Sequence, residues 1–470
     1  MIHDLLYKVK ENISACDALL ADDLMINRIF ARFFTDYDKL QTFIKMLCSP
    51  LKDEQNINYR KEIITEFHKN PELLSKTKNM LYKIKELYDD INSKRIQRAA
   101  NSPLLLLKMR AEALKMLLEL FADIAPIAKG LSSSNSTIKG MLERIAQIGD
   151  DTNNRAFIQY CDEINNISMD GAHFVEIELD EHGKVHLCEL TDADVPIQTE
   201  QTSTRKSIFS KPAQPQIVAV PLDYIGFEDA KTFYTASINT LSELFHDTQS
   251  AIFTEFLTAA EQIDFIIVAV EIIKIAQESK IEWCFAQFSN NNEIEIIELR
   301  DLLLSVNGAV PISNDITCLS DINGIVITGG NNSGKTVFLR SFAISMLMAY
   351  QGLPILAKHA IVPLKNGIYS LFASSERTLA QNMGRFEQEV ERLSKIIDEI
   401  TPSHILVLNE PFQTTEYTEG AEGLYHILNF LSKNDIFWII VTHLTHLGEL
   451  YKNQNNVLKL KMGEDHKFEQ

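Results

Sequence analysis

The sequence predicts a C-terminal α/β domain with a mostly parallel sheet, preceded by a mainly helical region carrying a small β insertion. Three observations predict it. First, Ile325-Val-Ile-Thr-Gly-Gly-Asn-Asn-Ser-Gly-Lys-Thr336 runs from an apolar strand through a glycine-bounded loop into a helical pattern. Second, apolar runs beyond it alternate with helical stretches, as in a parallel sheet covered on both faces. Third, apolar residues before it recur at three and four, in Phe30, Phe33, Phe34 and again in Leu40, Phe43, Ile44, Leu47.

Gly329, four residues, then Gly334-Lys335-Thr336 is the phosphate-binding loop spacing. Such a loop wraps phosphate oxygens with backbone N–H groups, and a side chain at either glycine obstructs that approach. Gly329, Gly330, Asn331, Asn332, Ser333, Gly334, Lys335, Thr336 and Val337 are therefore the expected nucleotide-binding residues. Lys335 supplies charge for the β- and γ-phosphates, and the Thr336 hydroxyl is an expected ligand for Mg²⁺. The helix read over Val337 to Tyr350 adds its N-terminal dipole.

Composition bounds the rest. Residues 1–150 hold 23 Lys and Arg against 20 Asp and Glu, a net of +3, which leaves −22 of the chain's −19 to residues 151–470. That acidic balance argues against broad nonspecific nucleic-acid binding and leaves room for a local basic face in the first third. The six cysteines form no CxxC pair, so neither a zinc site nor a redox motif is signalled. Their scatter fits a reducing, cytoplasmic setting. The N-terminus has an early acid and no long apolar stretch, and the apolar run Ile263 to Ala276 carries Asp264, Glu271 and Lys274. Neither a signal peptide nor a membrane span is expected.

Taken in order, helices are expected up to Pro50, over Tyr59 to Phe67, from Pro71 to about Ala99, and from Pro103 to about Ala128. Lys94, Arg95, Arg98, Lys108 and Arg110 form a basic cluster there, either a solvated helix face or a phosphate-contacting surface. Gly130 to Thr137 reads as a loop, with a short helix after it to about Ile148. The period then changes. Phe174-Val-Glu-Ile-Glu-Leu and Val185-His-Leu-Cys-Glu-Leu alternate around Asp180 to Gly183, a β-hairpin, and the polar stretch Thr191 to Pro215 reads as a linker. Long helices follow over Phe227 to Ser279, then strands at Trp283 to Phe288 and Glu293 to Ile297, then the approach Val306 to Asn314. After the loop helix come strand Gly367 to Phe372, helix Asn382 to Ile400, strand Ile405 to Leu408, helix Glu419 to Ser432, strand Ile436 to Thr442 and a last strand at Val457 to Lys461. The expected division is 1–130 helical core, 131–285 helical arm with the β and linker insertion at about 171–220, and 286–470 nucleotide-binding domain.

A phosphate loop needs a second strand that delivers acid to the metal and the attacking water. His404-Ile-Leu-Val-Leu-Asn409-Glu410 fits, since ligands gather at the C-terminal ends of parallel strands. Glu410 is the expected base for water, Asn409 stands at the metal position, and His443, at the end of Phe437 to His443, is a candidate γ-phosphate sensor.

These residues carry a resemblance. Thr328 to Pro354 resembles the nucleotide-binding core of the MutS family, whose pattern runs T-G-P-N-M-G-G-K-S into a helix with Leu-Met-Ala-x-x-Gly. Asn409-Glu410-Pro-Phe-Gln-Thr-Thr415 looks like that family's acidic strand end, and Thr442-His443 like its Thr-His switch. Met383 to Glu389 looks like its Ser-Thr-Phe-Met-x-Glu motif, with Phe386 and Glu389 matching. The resemblance covers roughly residues 40–130 and 255–450. It implies an α/β P-loop NTPase of ABC/MutS type, a DNA-acting ATPase using ATP and Mg²⁺ for mismatch repair or recombination. It also implies a homodimer that sandwiches two ATP molecules, and a repair-protein partner. The expected form is short, without mismatch-reading and connector domains and without a nuclease domain after Gln470. Asn409 departs from the family's acidic metal partner and Gly384 from its signature serine. A second reading follows from those departures: a nucleotide-gated scaffold that hydrolyses little and acts through a protein partner. The related ABC ATPases carry a Leu-Ser-Gly-Gly-Gln signature, a string not found in this sequence.

Overall fold

The computed structural model describes residues 3–8, 18–93, 103–166, 174–179, 185–191, 224–373, 384–412 and 417–469. Helices cover Ala18–Asp23, Ile26–Phe30, Tyr37–Leu47, Glu54–Lys69, Pro71–Asn92, Pro103–Lys129, Ser136–Gly149 and Asn154–Asn166. Their starts follow local chemistry. The Asp36 and Asp53 carboxylates accept from the backbone N–H of Asp38 and Gln55, satisfying donors that a first turn leaves open. The Asp53 cap is why the helix expected at Tyr59 begins five residues earlier, at Glu54. The strands β1 (Phe174–Leu179) and β2 (Val185–Thr191) form the expected antiparallel hairpin, Phe174 opposite Thr191. The hairpin turn and the expected linker beyond Thr191 lie outside the described residues. A single 55-residue helix, Tyr224–Glu278, follows.

The C-terminal third holds two sheets. The first joins β3 (Gln287–Ser289), β4 (Ile294–Leu299), β5 (Asn314–Cys318) and β7 (His359–Pro363) in the order β3-β7-β4-β5, and β4 pairs antiparallel with both neighbours. The strand expected over Trp283 to Phe288 is shorter and later; Cys284 makes only an isolated bridge with Ile355. The second sheet joins β6 (Gly324–Gly329), β8 (Gly367–Phe372), β9 (His404–Asn409), β10 (Phe437–Val441) and β11 (Val457–Met462). Its order is β11-β6-β10-β9-β8 and every pair is parallel.

Parallel strands buried on both faces read as unbroken apolar runs. Strand β10, Phe-Trp-Ile-Ile-Val, is buried at all five positions. One core layer packs Leu406, Leu408, Trp438 and Ile440 against Leu393, Ile396, Leu424, Leu428 and Leu447. Each such side chain is worth about 2 kcal/mol in area removed from water. The helix Lys335–Tyr350 is buried nearly all round, which explains its lack of a polar face in the sequence.

The chain divides into two compact units. One comprises Met1–Tyr82, Lys129–Glu143 and Glu255–Gln470, and contains both of these sheets. The other comprises Lys83–Ala128 and Arg144–Thr254. Within the second, Leu104, Leu107, Ala111, Leu114 and Leu118 form one helical stripe packed on Cys161, Ile238 and Phe245. Of the basic cluster, Lys108 donates to Asn165 O and Arg110 to the Ser242 hydroxyl. Lys94, Arg95 and Arg98 lie outside the described residues. Among the described residues no helix is long and apolar enough to cross a membrane.

Candidate nucleotide site

The strands β6, β9 and β10 end side by side, and everything the site needs follows their last residues. Strand β6 delivers the phosphate loop. Gly329 sits at φ 150°, and a Cβ there would lie 2.5 Å from Met462 O, so no other residue fits against β11. Asn332 takes the left-handed region at φ 63°, which Asn tolerates, and Gly334 takes it at φ 96°. Gly334 is the N-cap of the helix Lys335–Tyr350 and offers no side-chain cap, so the helix's first N–H groups face the loop's hollow. The Ser333 hydroxyl is buried there without a hydrogen-bond partner among the described residues.

Lys335 is 4% exposed, and its ammonium folds onto the loop, donating to Gly329 O at 3.0 Å and Gly330 O at 2.7 Å. Burial lowers its pKa, and the Glu410 charge partly opposes this. A cation held only by neutral carbonyls, at the N-terminus of a helix, is matched to an anion.

Strand β9 delivers Asn409 and Glu410. The Thr336 hydroxyl donates to Asn409 Oδ1 at 3.0 Å, so the two expected metal ligands already face each other. Glu410 leaves the strand in the left-handed region at φ 52°, with its N–H on Val441 O at 2.8 Å. His443 follows β10, and its Nε2 lies 2.6 Å from Glu410 Oε1. Thr442 is buried, donates its N–H to Ile327 O, and its hydroxyl accepts from Leu444 N. The three strand ends are thus tied to one another by hydrogen bonds.

Two cavities flank the loop. A polar one of about 600 Å³ is lined by Asn331 to Val337, Glu410 and His443. An apolar one of about 360 Å³ shares Asn332, Gly334 and Val337 with it, and is walled by Leu304, Pro311, Ile312 and Phe338. Asp301, Ser341 and His466 also line it, and none of these was singled out by the sequence pattern. His466 Nδ1 lies 2.9 Å from Ser333 O, so that nitrogen carries the ring proton. The one available signal was the proline-containing approach at Val306 to Asn314, which reads only as a connection.

The helix Arg385–Glu399 brings the remaining motif to the same edge. Glu389 accepts from Phe412 N at 2.7 Å, and the Phe386 ring meets the Phe412 ring at 5.3 Å. Phe412 is held in the left-handed region at φ 62°. Gly384 caps this helix with no side-chain hydrogen bond. Met383 and residues 413–416 lie outside the described residues. Arg392 anchors the helix through Asp23, 2.6 Å away, which also accepts from the Ser370 hydroxyl.

Residues 325–470 match the family model MutS domain V, and residues 52–278 match the MutS2 N-terminal domain. Over 162 residues the chain is 30% identical to proteins named Endonuclease MutS2 from Streptococcus agalactiae serotype Ia and Streptococcus pyogenes serotype M5. A relative of that name from Streptococcus equi subsp. equi is 29% identical over 160 residues. The chain belongs to the MutS family. The matched stretch is 34% of this chain and spans 20% of each of these relatives. At family level, MutS membership relates the chain to DNA-associated ATPases.

Proposed function

We propose that the chain binds ATP with Mg²⁺ at the β6 loop, hydrolyses it slowly, and uses the cycle to control an ATP-driven dimeric clamp on DNA. The observation that carries this reading is the convergence of Lys335, Thr336, Asn409, Glu410 and His443 at adjoining strand ends. The polar cavity takes the triphosphate and the apolar cavity beside it takes the nucleoside, with Gly334 and Val337 between them.

The residues fit the metal that this reading requires. Thr336 and Asn409 present a hydroxyl and an amide oxygen 3.0 Å apart, hard donors that would hold Mg²⁺. A bound ion would supply charge neutralisation at the phosphates. Glu410 then orients and deprotonates the attacking water, and its contact with His443 fixes the carboxylate. His443 meets the γ-phosphate from the adjoining end of β10. Asn409 brings no charge to the site, which supports slow turnover and also favours the reading of a nucleotide-gated scaffold working through a protein partner.

Dimerisation is supported by the helix Arg385–Glu399. Phe386 and Val390, one turn apart, are 46% and 41% exposed beside the site edge, an apolar pair placed for a second copy of the chain. The DNA contacts are assigned to the more basic first third, Arg95 and Arg98 among them. The deciding experiment is the ATPase rate of the purified chain with and without duplex, branched and single-stranded DNA, with mass by light scattering. ATP turnover that one of these DNAs changes, together with ATP-dependent dimer, is the expected result. No ATP binding sinks the whole reading; ATP binding without turnover leaves the scaffold.

A further inference from the structure

Asp23 is the last residue of the helix Ala18–Asp23. A carboxylate there does nothing for its own helix, since a helix C-terminus favours cations. It serves the edge of the parallel sheet instead. Strand β8 is the outer strand of the order β11-β6-β10-β9-β8. Ala373 N donates inward to Asn409 O, so the backbone groups of Phe372 and Ser370, one and three residues back, point outward. An edge strand leaves such groups without a strand partner. Asp23 and Arg392 stand in for one. Arg392 Nη2 donates to Ser370 O at 2.8 Å, and the Asp23 carboxylate accepts from the Ser370 hydroxyl at 2.7 Å and from the Phe372 N–H.

The two side chains also grip each other. Arg392 Nη2 lies 2.6 Å from Asp23 Oδ2 and Nη1 lies 3.3 Å from Oδ1, a two-pronged contact whose side chains are 18% and 12% exposed. Burial raises the Asp23 pKa, and Arg392, then Ser370 and Phe372, hold it down. Asp23 O accepts from Arg340 Nε at 3.2 Å, five residues into the helix that starts at Lys335. Asp23 therefore ties its own segment to β8, to the helix Arg385–Glu399 and to the helix of the phosphate loop. All of these lie within one compact unit.

On the helix Arg385–Glu399, Glu389 and Arg392 share the inner face one turn apart, while Val390 lies across the axis from Arg392. Leu393 and Ile396 pack this helix onto the core, but apolar burial is non-directional and leaves rotation open. The bond from Phe412 N to Glu389 fixes one point. The Arg392 fork on Asp23 fixes a second, with the planar geometry that a bidentate pair imposes. We propose that Asp23 is a positioning residue: through Arg392 it sets the rotation of the helix Arg385–Glu399, and so the Phe386 and Val390 face offered to a second copy of the chain. The proposal rests on the dimer reading above and adds the residue that holds its surface in place.

Asp23→Asn keeps the size and an acceptor oxygen and removes the charge that Arg392 grips. Self-association of wild type and variant is followed by light scattering over protein concentration, with saturating ATP and Mg²⁺. ATP affinity is followed by titration with a fluorescent analogue. The variant is expected to need about tenfold more protein to dimerise, the scale of one lost charge-assisted hydrogen bond, with ATP affinity within about twofold of wild type. Arg392→Lys keeps the charge without the fork and should shift dimerisation in the same direction. The double variant should lose no more than the weaker single one, since both act through one contact. Dimerisation of Asp23→Asn at wild-type concentrations overturns the proposal and leaves the dimer reading standing. So does loss of ATP affinity in parallel with dimerisation, the mark of a merely structural contact. Where Asp23→Asn does not fold, Arg392→Lys decides by the same two measurements. A wild type that binds ATP and stays monomeric removes the dimer reading, and this proposal with it.

Discussion

The two cavities on either side of the phosphate loop are built in opposite ways. The polar cavity is lined by seven consecutive residues, Asn331 to Val337, closed by Glu410 and His443 from neighbouring strands. The apolar one is assembled from Leu299 to Asn314, one face of the helix Lys335–Tyr350, and His466. The first depends on backbone conformation that only certain residues adopt; the second depends on which segments the fold brings together. A local constraint leaves a mark in the sequence at fixed spacing, and a tertiary one does not. Function here joins both kinds, since they meet at Asn332, Gly334 and Val337.

The largest expected effect breaks the polar side. Lys335→Ala keeps both loop glycines and removes the cation proposed to face the phosphates, with its bonds to Gly329 O and Gly330 O. Affinity for a fluorescent ATP analogue should fall about a hundredfold or more, the scale of losing charge-assisted hydrogen bonds in a buried site. Unchanged affinity would remove this loop from the argument.

Glu410→Gln separates chemistry from binding. The amide still fills the strand end beside His443 but no longer accepts the water's proton. Hydrolysis should drop roughly a hundredfold or more while ATP binding persists. The trapped ATP form should then accumulate dimer in light scattering. A monomer at saturating ATP and Mg²⁺ counts against a site shared between two chains.

Ile312→Ala acts on the apolar side alone. Ile312 is 46% exposed at the wall of that cavity and does not line the polar one. ATP should weaken roughly fivefold, the scale of one lost apolar contact, and inorganic tripolyphosphate should bind unchanged. Parallel loss of both ligands would mean that the two cavities do not divide the nucleotide as base and triphosphate.

The same contrast explains what was legible in the sequence. The parallel sheet was readable because β6, β9 and β10 are continuous apolar runs, as doubly covered strands must be. The β3-β7-β4-β5 sheet was readable only in part: strands were expected at Trp283 to Phe288 and Glu293 to Ile297, near β3 and β4, and none at β5 or β7. Strand β5, Asn-Asp-Ile-Thr-Cys, pairs only with β4 and buries just Ile316 and Cys318, so it carries too little pattern to stand out. Strand β7 ends in Pro363 and begins at a polar His359. Phosphate-loop residues were named from spacing, whereas Asp301, Ser341 and His466 are separated by up to 165 positions and share a cavity only in the fold. Glu410 and Phe412 sit in left-handed backbone without being glycine. That strain, costing about 1–3 kcal/mol per residue, is held by the Val441 and Glu389 hydrogen bonds and has no sequence signature.

The smallest expected effect is the most diagnostic of how the polar side works. Asn409 presents one amide oxygen, already accepting from the Thr336 hydroxyl. A carboxylate there would accept that bond and still offset charge on Mg²⁺, so Asn409→Asp should lower the Mg²⁺ concentration for half-maximal ATPase several-fold. The new charge stands beside Glu410, and two adjacent carboxylates raise each other's pKa unless a cation lies between them. Lys335 lies on the same cavity wall as Glu410, so a positive partner faces the added charge. The gain should therefore appear at neutral pH and vanish as acidity protonates one of the pair. The measurement is ATPase rate against Mg²⁺ for both proteins at two pH values. If the wild type already saturates at the lower concentration, Asn409 is not a weakened metal position, and the scaffold reading loses its chemical basis.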